Sequence, residues 1–183
     1  MSGHDPDASA GPPGGFERLW TPWRMEYIKS AGGADQQGCI FCDLPGRDED
    51  EKNLILDRSE KAFVILNAFP YNAGHLMVAP FRHVGELEGA SEEELADVDG
   101  LLKRSIRALK EEYAPHGFNI GMNLGRVAGA GIPDHVHWHV VPRWSGDTNF
   151  MPVVAQTKVL PEHLEVTYGR LAVSLVSGDA GLE

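Results

Sequence analysis

The spacing of apolar residues changes several times along the chain, and each change marks an element. Between Leu54 and Ala79 the chain falls in short strand-like runs, mostly apolar, at 54–56, 62–66 and 75–79. Runs of this length, rich in Val, Ile and Phe, read as buried strands. Phe69-Pro70-Tyr71-Asn72-Ala73-Gly74 separates the last two and predicts a hairpin turn. From Leu95 the spacing lengthens to three and four: Leu95, Val98, Leu102, Ile106, Leu109 and Tyr113 make one helical stripe. Ser91 and Glu94 form a capping-box pattern ahead of it, and Pro115 and Gly117 end it. The period then falls to two. Phe118, Ile120, Met122 and Leu124 are expected to face the core, and Asn119, Gly121 and Asn123 the other side. The same alternation runs through His135-Val136-His137-Trp138-His139-Val140, which predicts a strand with three imidazoles on one face. Helical spacing returns after Pro161 in Leu164, Tyr168, Leu171 and Leu175. This order predicts an α+β fold, a largely antiparallel sheet with one long helix on a face and a C-terminal helix.

Met1 to Gly15 has almost no apolar side chains, so burial cannot offset its ordering entropy. It is expected to be a disordered tail, with residues 16–183 forming a single domain. The aromatic stretch from Leu19 to Ile28 is expected to pack as an arm on the domain or on a partner subunit. The formal charge of −11 argues against nucleic acid as a partner but leaves room for a small anion in a local pocket. No apolar run approaches a membrane span, and the start shows no secretory pattern. The expected compartment is the cytoplasm. Two cysteines do not make a disulfide framework.

The candidate chemistry gathers at the histidines. Gly125, Gly129 and Gly131 precede them, and a glycine-rich turn lets backbone N–H groups approach an anion closely. Such a loop running into an imidazole strand can hold a phosphoryl group against a nucleophilic histidine. His137, flanked on both sides, is the best-placed nucleophile. Cys39-Ile40-Phe41-Cys42 can be a zinc pair, a redox pair or two small buried residues; the absence of a strand–motif–helix context disfavours redox. As zinc ligands the cysteines need histidines to complete the set, and His83 and His135 are the candidates.

These residues resemble the histidine-triad superfamily. The His-x-His-x-His run at 135–139, the hairpin from Asn67 to His75 and the Cys-x-x-Cys start carry the resemblance, which spans about Phe16 to Leu175. Leu19-Trp20-Thr21-Pro22-Trp23-Arg24, Gly121-Met122-Asn123-Leu124-Gly125 and the segment from Pro142 to Phe150 resemble its diadenosine tetraphosphate phosphorylase-like branch. The resemblance implies a HIT-like fold with a five-stranded antiparallel sheet, assembled as a homodimer or a higher homo-oligomer. It implies a nucleotidyl intermediate on His137 and a phosphate contact from His139. It implies ribose binding by Asn67, and phosphate binding by Asn123 and the backbone of Gly129, Ala130 and Gly131. It supports a structural Zn2+ on Cys39, Cys42, His83 and His135, and calls for no organic cofactor. His75 is a pocket candidate or a hairpin support, and Trp144 a base platform or a packed aromatic.

One departure bears on the acceptor. Hydrolase and phosphoramidase branches carry Gln four residues before the first triad histidine, and some phosphorylases carry Ser; here the position is Gly131. The missing side chain leaves room for inorganic phosphate, while water stays open as the alternative. The same residues also fit a hydrolase of the same family, a metallohydrolase with zinc on the histidines, or a non-enzymatic nucleotide-binding protein.

Overall fold

The computed structural model describes residues 38–147 and 162–177. The expected tail at 1–15, the aromatic arm at 19–28 and Phe150 lie outside them. Five strands form one antiparallel sheet: β1 (Ile55–Arg58), β2 (Ala62–Leu66), β3 (Leu76–Pro80), β4 (Gly117–Gly121) and β5 (Trp138–Arg143). Their order is β1-β2-β3-β5-β4, so the last strand returns into the slot between β3 and the edge strand β4. Two one-turn helices, α1 (Ile40–Asp43) and α2 (Asp50–Asn53), precede the sheet. The long helix α3 (Glu92–Tyr113) links β3 to β4, and α4 (Leu164–Ser177) closes the described chain.

Strand alternation divides the core in two. Val64, Leu66, Leu76, Val78 and Val140 point to the face covered by α3 and α4. Phe63, Ile65, Met77 and Ala79 point to the opposite face, where Phe41 of α1 joins them. Every residue of β2 and β3 is buried because both faces are covered. Leu101 and Leu109 of α3 are fully buried. Truncating either to Ala would cost about 2–5 kcal/mol, against a typical net stability of about 5–15 kcal/mol.

The Ser91–Glu94 capping box forms in both directions. The buried stripe of α3 is displaced from the expected one: Val98, Leu101, Ser105, Ala108 and Leu109 meet the sheet, while Leu102, Ile106 and Tyr113 pack at its flanks. Small Ser105 and Ala108 lie between Leu101 and Leu109 on that buried face. The β4 expectation is corrected. Ile120 is 47% and Leu124, just beyond the strand, 46% exposed, because among the described residues β4 is bonded to β5 alone and no helix covers its far end.

The segment after β3 is clamped to the start of α3. Arg82 donates from its Nε and Nη2 to the Glu94 carboxylate at 2.7 and 2.6 Å, and to the Gly89 carbonyl at 2.8 Å. Glu94 is buried, and its hydrogen bond from Arg82 holds its carboxyl down at about 2. This clamp fixes the chain immediately before His83.

Candidate active site and metal centre

The three histidines lie on one side of the chain, but not on one regular strand. Pairing in β5 begins at Trp138, so only His139 belongs to the ladder, opposite Met77 and Gly121. His135 and His137 precede it, in a segment held where Val136 N–H donates to the Val84 carbonyl at 2.7 Å. Gly85 makes this approach possible, since a Cβ there would stand 3.2 Å from the Asp134 backbone. Alternation persists all the same. Val136 is buried away from the imidazoles, and the His137 and His139 rings meet edge-on at 5.0 Å.

Each imidazole is held in a definite tautomer by what it touches. His137 Nδ1 lies 2.8 Å from the His135 carbonyl, which can only accept, so Nδ1 carries the proton and Nε2 keeps its lone pair. Burial pushes the His137 pKa down, which favours the neutral, nucleophilic ring. His139 is set by a relay. The Tyr71 N–H donates to His75 Nδ1 at 3.0 Å, so the proton of neutral His75 sits on Nε2. That Nε2–H faces His139 Nδ1 at 3.0 Å, which puts the proton of neutral His139 on its own Nε2. One ring therefore presents a lone pair and its neighbour a proton.

His137 and His139 line a cleft of about 310 Å³. Asn67, Gly129 and Gly131 line it as well. The Asn67 Oδ1 accepts from the Phe69 N–H at 2.9 Å, an Asx turn that shapes the hairpin. Gly129 has φ +92, a conformation that favours glycine. The N–H groups of Gly129 and Ala130 are spent inside the loop, on the carbonyls of Arg126 and Gly125. Of the three expected backbone anion donors, that leaves the Gly131 amide.

Four expected contacts stand away from the cleft lining. His75 is buried behind His139 and supports it from there. Ala130 is buried within the loop, and Asn123 is half-buried beyond β4. Trp144 donates its indole N–H to the Tyr113 carbonyl at 3.2 Å, which caps the end of α3. In return the cleft contains residues that motif reading did not select. Ile40, Phe41, Leu44, Leu54 and Met77 form an apolar wall beside Asn53. The signal available for Phe41 was its place between two cysteines, which ties it to whatever they hold.

Cys39, Cys42, His83 and His135 converge, their ligand atoms all within 4.8 Å of one another. His135 Nδ1 lies 3.3 and 3.5 Å from the Cys39 and Cys42 sulfurs, and His83 Nδ1 lies 3.3 Å from Cys42. Tetrahedral zinc with ordinary Zn–S and Zn–N bonds requires S···N separations of about 3.6 Å, so the four residues fit the ion. His135 donates from Nε2 to the Pro80 carbonyl at 2.9 Å, which turns the Nδ1 lone pair toward the sulfurs. Burial lowers the His135 pKa. Burial, with Cys39 and Asp43 beside it, pushes the Cys42 thiol up to about 11. The centre adjoins the cleft. Phe41 packs against His135 and His137 with ring centroids 5.3 and 4.8 Å apart.

The HIT domain family model matches residues 47–146, a span that includes all three histidines. The chain belongs to the HIT family. An AP-4-A phosphorylase of Mycobacterium tuberculosis is 40% identical over 163 residues, covering 86% of this chain and 83% of that protein. An adenosine 5'-monophosphoramidase of Schizosaccharomyces pombe is 32% identical over 105 residues, covering 57% of this chain and 74% of its own length. A zinc-bound histidine triad family protein from Mycobacterium smegmatis superposes with a TM-score of 0.64 at 27% identity, covering 79% of this chain and 98% of that one. The five-stranded sheet, long helix and C-terminal helix described above are thus those of a HIT protein. No helix among the described residues is long and apolar enough to cross a membrane.

Proposed function

We propose that this HIT protein is a nucleotidyltransferase that phosphorolyses diadenosine tetraphosphate to ATP and ADP. The observation that carries the reading is the complementary pair of tautomers, a lone pair on His137 Nε2 beside a proton on His139 Nε2, in a cleft with an apolar wall. The 40% identity to an AP-4-A phosphorylase over most of both chains supports it.

In this reading His137 Nε2 attacks the phosphorus that bears one adenosine. A P–N bond forms, the P–O bond to the rest of the polyphosphate breaks, and ATP leaves. His139 Nε2–H donates to the phosphoryl oxygens as charge builds on them, and the Gly131 amide shares that charge. Asn67, at the mouth of the hairpin, is assigned to the ribose. Inorganic phosphate then attacks the nucleotidylated imidazole, releasing ADP and restoring the lone pair. The step needs a second anion beside the first, and Gly131 contributes no side chain to obstruct it. Zinc on Cys39, Cys42, His83 and His135 would supply structure, tying α1 to the histidine segment. Trp144, held at the end of α3, is assigned to packing. The exposed Ile120 on edge strand β4, with the exposed Leu124 just beyond its end, supports a second copy of the chain covering that edge in a homodimer, and the cytoplasm is the compartment we propose.

The test is product analysis from diadenosine tetraphosphate with and without phosphate. ATP and ADP that form only with phosphate, and label trapped on His137 without it, are the expected results. ATP and AMP at equal rates in both conditions would make water the acceptor and the enzyme a hydrolase.

A further inference from the structure

The apolar wall of the cleft contains a polar side chain that the reaction above does not use. Asn53 ends α2 and is only 8% exposed, yet it lines the cleft between Leu44 and Leu54. Its amide orientation is fixed chemically. Nδ2 lies 3.3 Å from the Leu44 carbonyl, which can only accept, so the nitrogen faces Leu44 and the oxygen is the other atom. The Oδ1 accepts no hydrogen bond from any described residue. It is not sealed in either, because the only buried side-chain nitrogen or oxygen without a partner among the described residues is Ser105 Oγ. With its nitrogen on Leu44, the Asn53 oxygen is the amide atom left to accept from a ligand in the cleft that the residue lines. Ile40, Leu44 and Leu54 line the same cleft, surfaces that suit the faces of a planar ring.

We propose that Asn53 is a specificity residue that reads the base of the bound nucleotide, its Oδ1 accepting a hydrogen bond from the exocyclic 6-amino group of adenine. The inference rests on the nucleotide reading of the cleft and adds which base edge is selected. The phosphoryl end is set by His137, His139 and Gly131, so the base extends along the apolar wall. Leu54, beside Asn53, takes φ +61, so a left-handed turn holds the amide in place. A base with no donor at that position leaves the Asn53 oxygen dry and unpaired.

The test compares binding of AMP and purine riboside 5'-monophosphate, which lacks only the amino group, by calorimetry. The wild-type protein is expected to bind AMP about tenfold more tightly, the scale of one hydrogen bond in a desolvated site. Asn53→Leu is expected to bring the two within about twofold, by weakening AMP and leaving the analogue unchanged. Equal wild-type affinities would overturn the inference while leaving the nucleotide site intact, as would a tenfold preference that survives in N53L. A protein that binds neither nucleotide would remove the functional reading and this inference together. If N53L does not fold, the wild-type comparison still decides, since it needs no variant.

Discussion

His75→Phe separates packing from proton placement at the proposed catalytic pair. The substitution keeps a ring of similar size in a buried slot, between Tyr71 at 4.7 Å and His139 at 5.2 Å. It removes the acceptor for the Tyr71 N–H and the donor to His139 Nδ1, both at 3.0 Å. The first loss acts on stability. An amide without its partner costs about 1–3 kcal/mol, and the partly exposed position of Tyr71 puts this case near the lower end. The second acts on rate. A net hydrogen bond of about 1 kcal/mol biases the His139 tautomer by about fivefold. Without that bias the proton moves to Nδ1 in a share of the molecules. Those molecules turn a lone pair on the phosphoryl oxygens where a donor is needed. The productive tautomer then falls from about five-sixths to about one-half of the molecules, so single-turnover transfer of label to His137 is expected to slow about twofold. The KM should change little, since His75 does not line the cleft. His75→Gln, which can both accept and donate, should recover part of the rate. Rapid mixing gives the rate and urea unfolding the stability. A variant that loses stability but transfers label at the wild-type rate would make His75 a packing residue and refute the relay.

Cys42→Ala should abolish stoichiometric zinc binding and also slow nucleotidylation. His135, a candidate ligand, accepts the His137 Nδ1–H through its carbonyl, and a loss of about ten- to hundredfold is expected. Elemental analysis beside turnover checks both, and a metal-free variant with full activity would disconnect the centre from the cleft. Glu94 gives a pH test with a definite sign. Its carboxyl is held at about 2, chiefly by Arg82, so its contribution to stability is complete above the unfolded value of 4.5 and drains as pH falls toward 2. Urea midpoints at pH 6 and pH 3 should fall further apart in the wild type than in Glu94→Gln, and equal differences would rule the clamp out.

What could be read in the sequence depended on how far apart the cooperating residues lie. The capping box, the hairpin and the buried runs of β2 and β3 are local, and side-chain type with spacing was enough to find them. The convergence of Cys39, Cys42, His83 and His135 was legible across 96 residues because cysteine and histidine have few other reasons to appear in that pattern. The failures share a cause. His75 was a candidate for the pocket because no local rule says that it stands behind His139, 64 residues away. Ile120 and Leu124 alternate as a core strand should, and only the strand order reveals that β4 is an edge. Asn53 ends an ordinary acidic turn until its amide is found against Leu44 in the cleft wall. Phe41 is the most instructive case. As a spacer between two candidate ligands it carried no message, yet its ring touches both the metal-side histidine and the proposed nucleophile. A Cys-x-x-Cys turn that grips an ion must also fix the residues it encloses. Sulfurs placed to hold a metal would therefore also set the wall beside the proposed nucleophile His137, through the Phe41 ring between them.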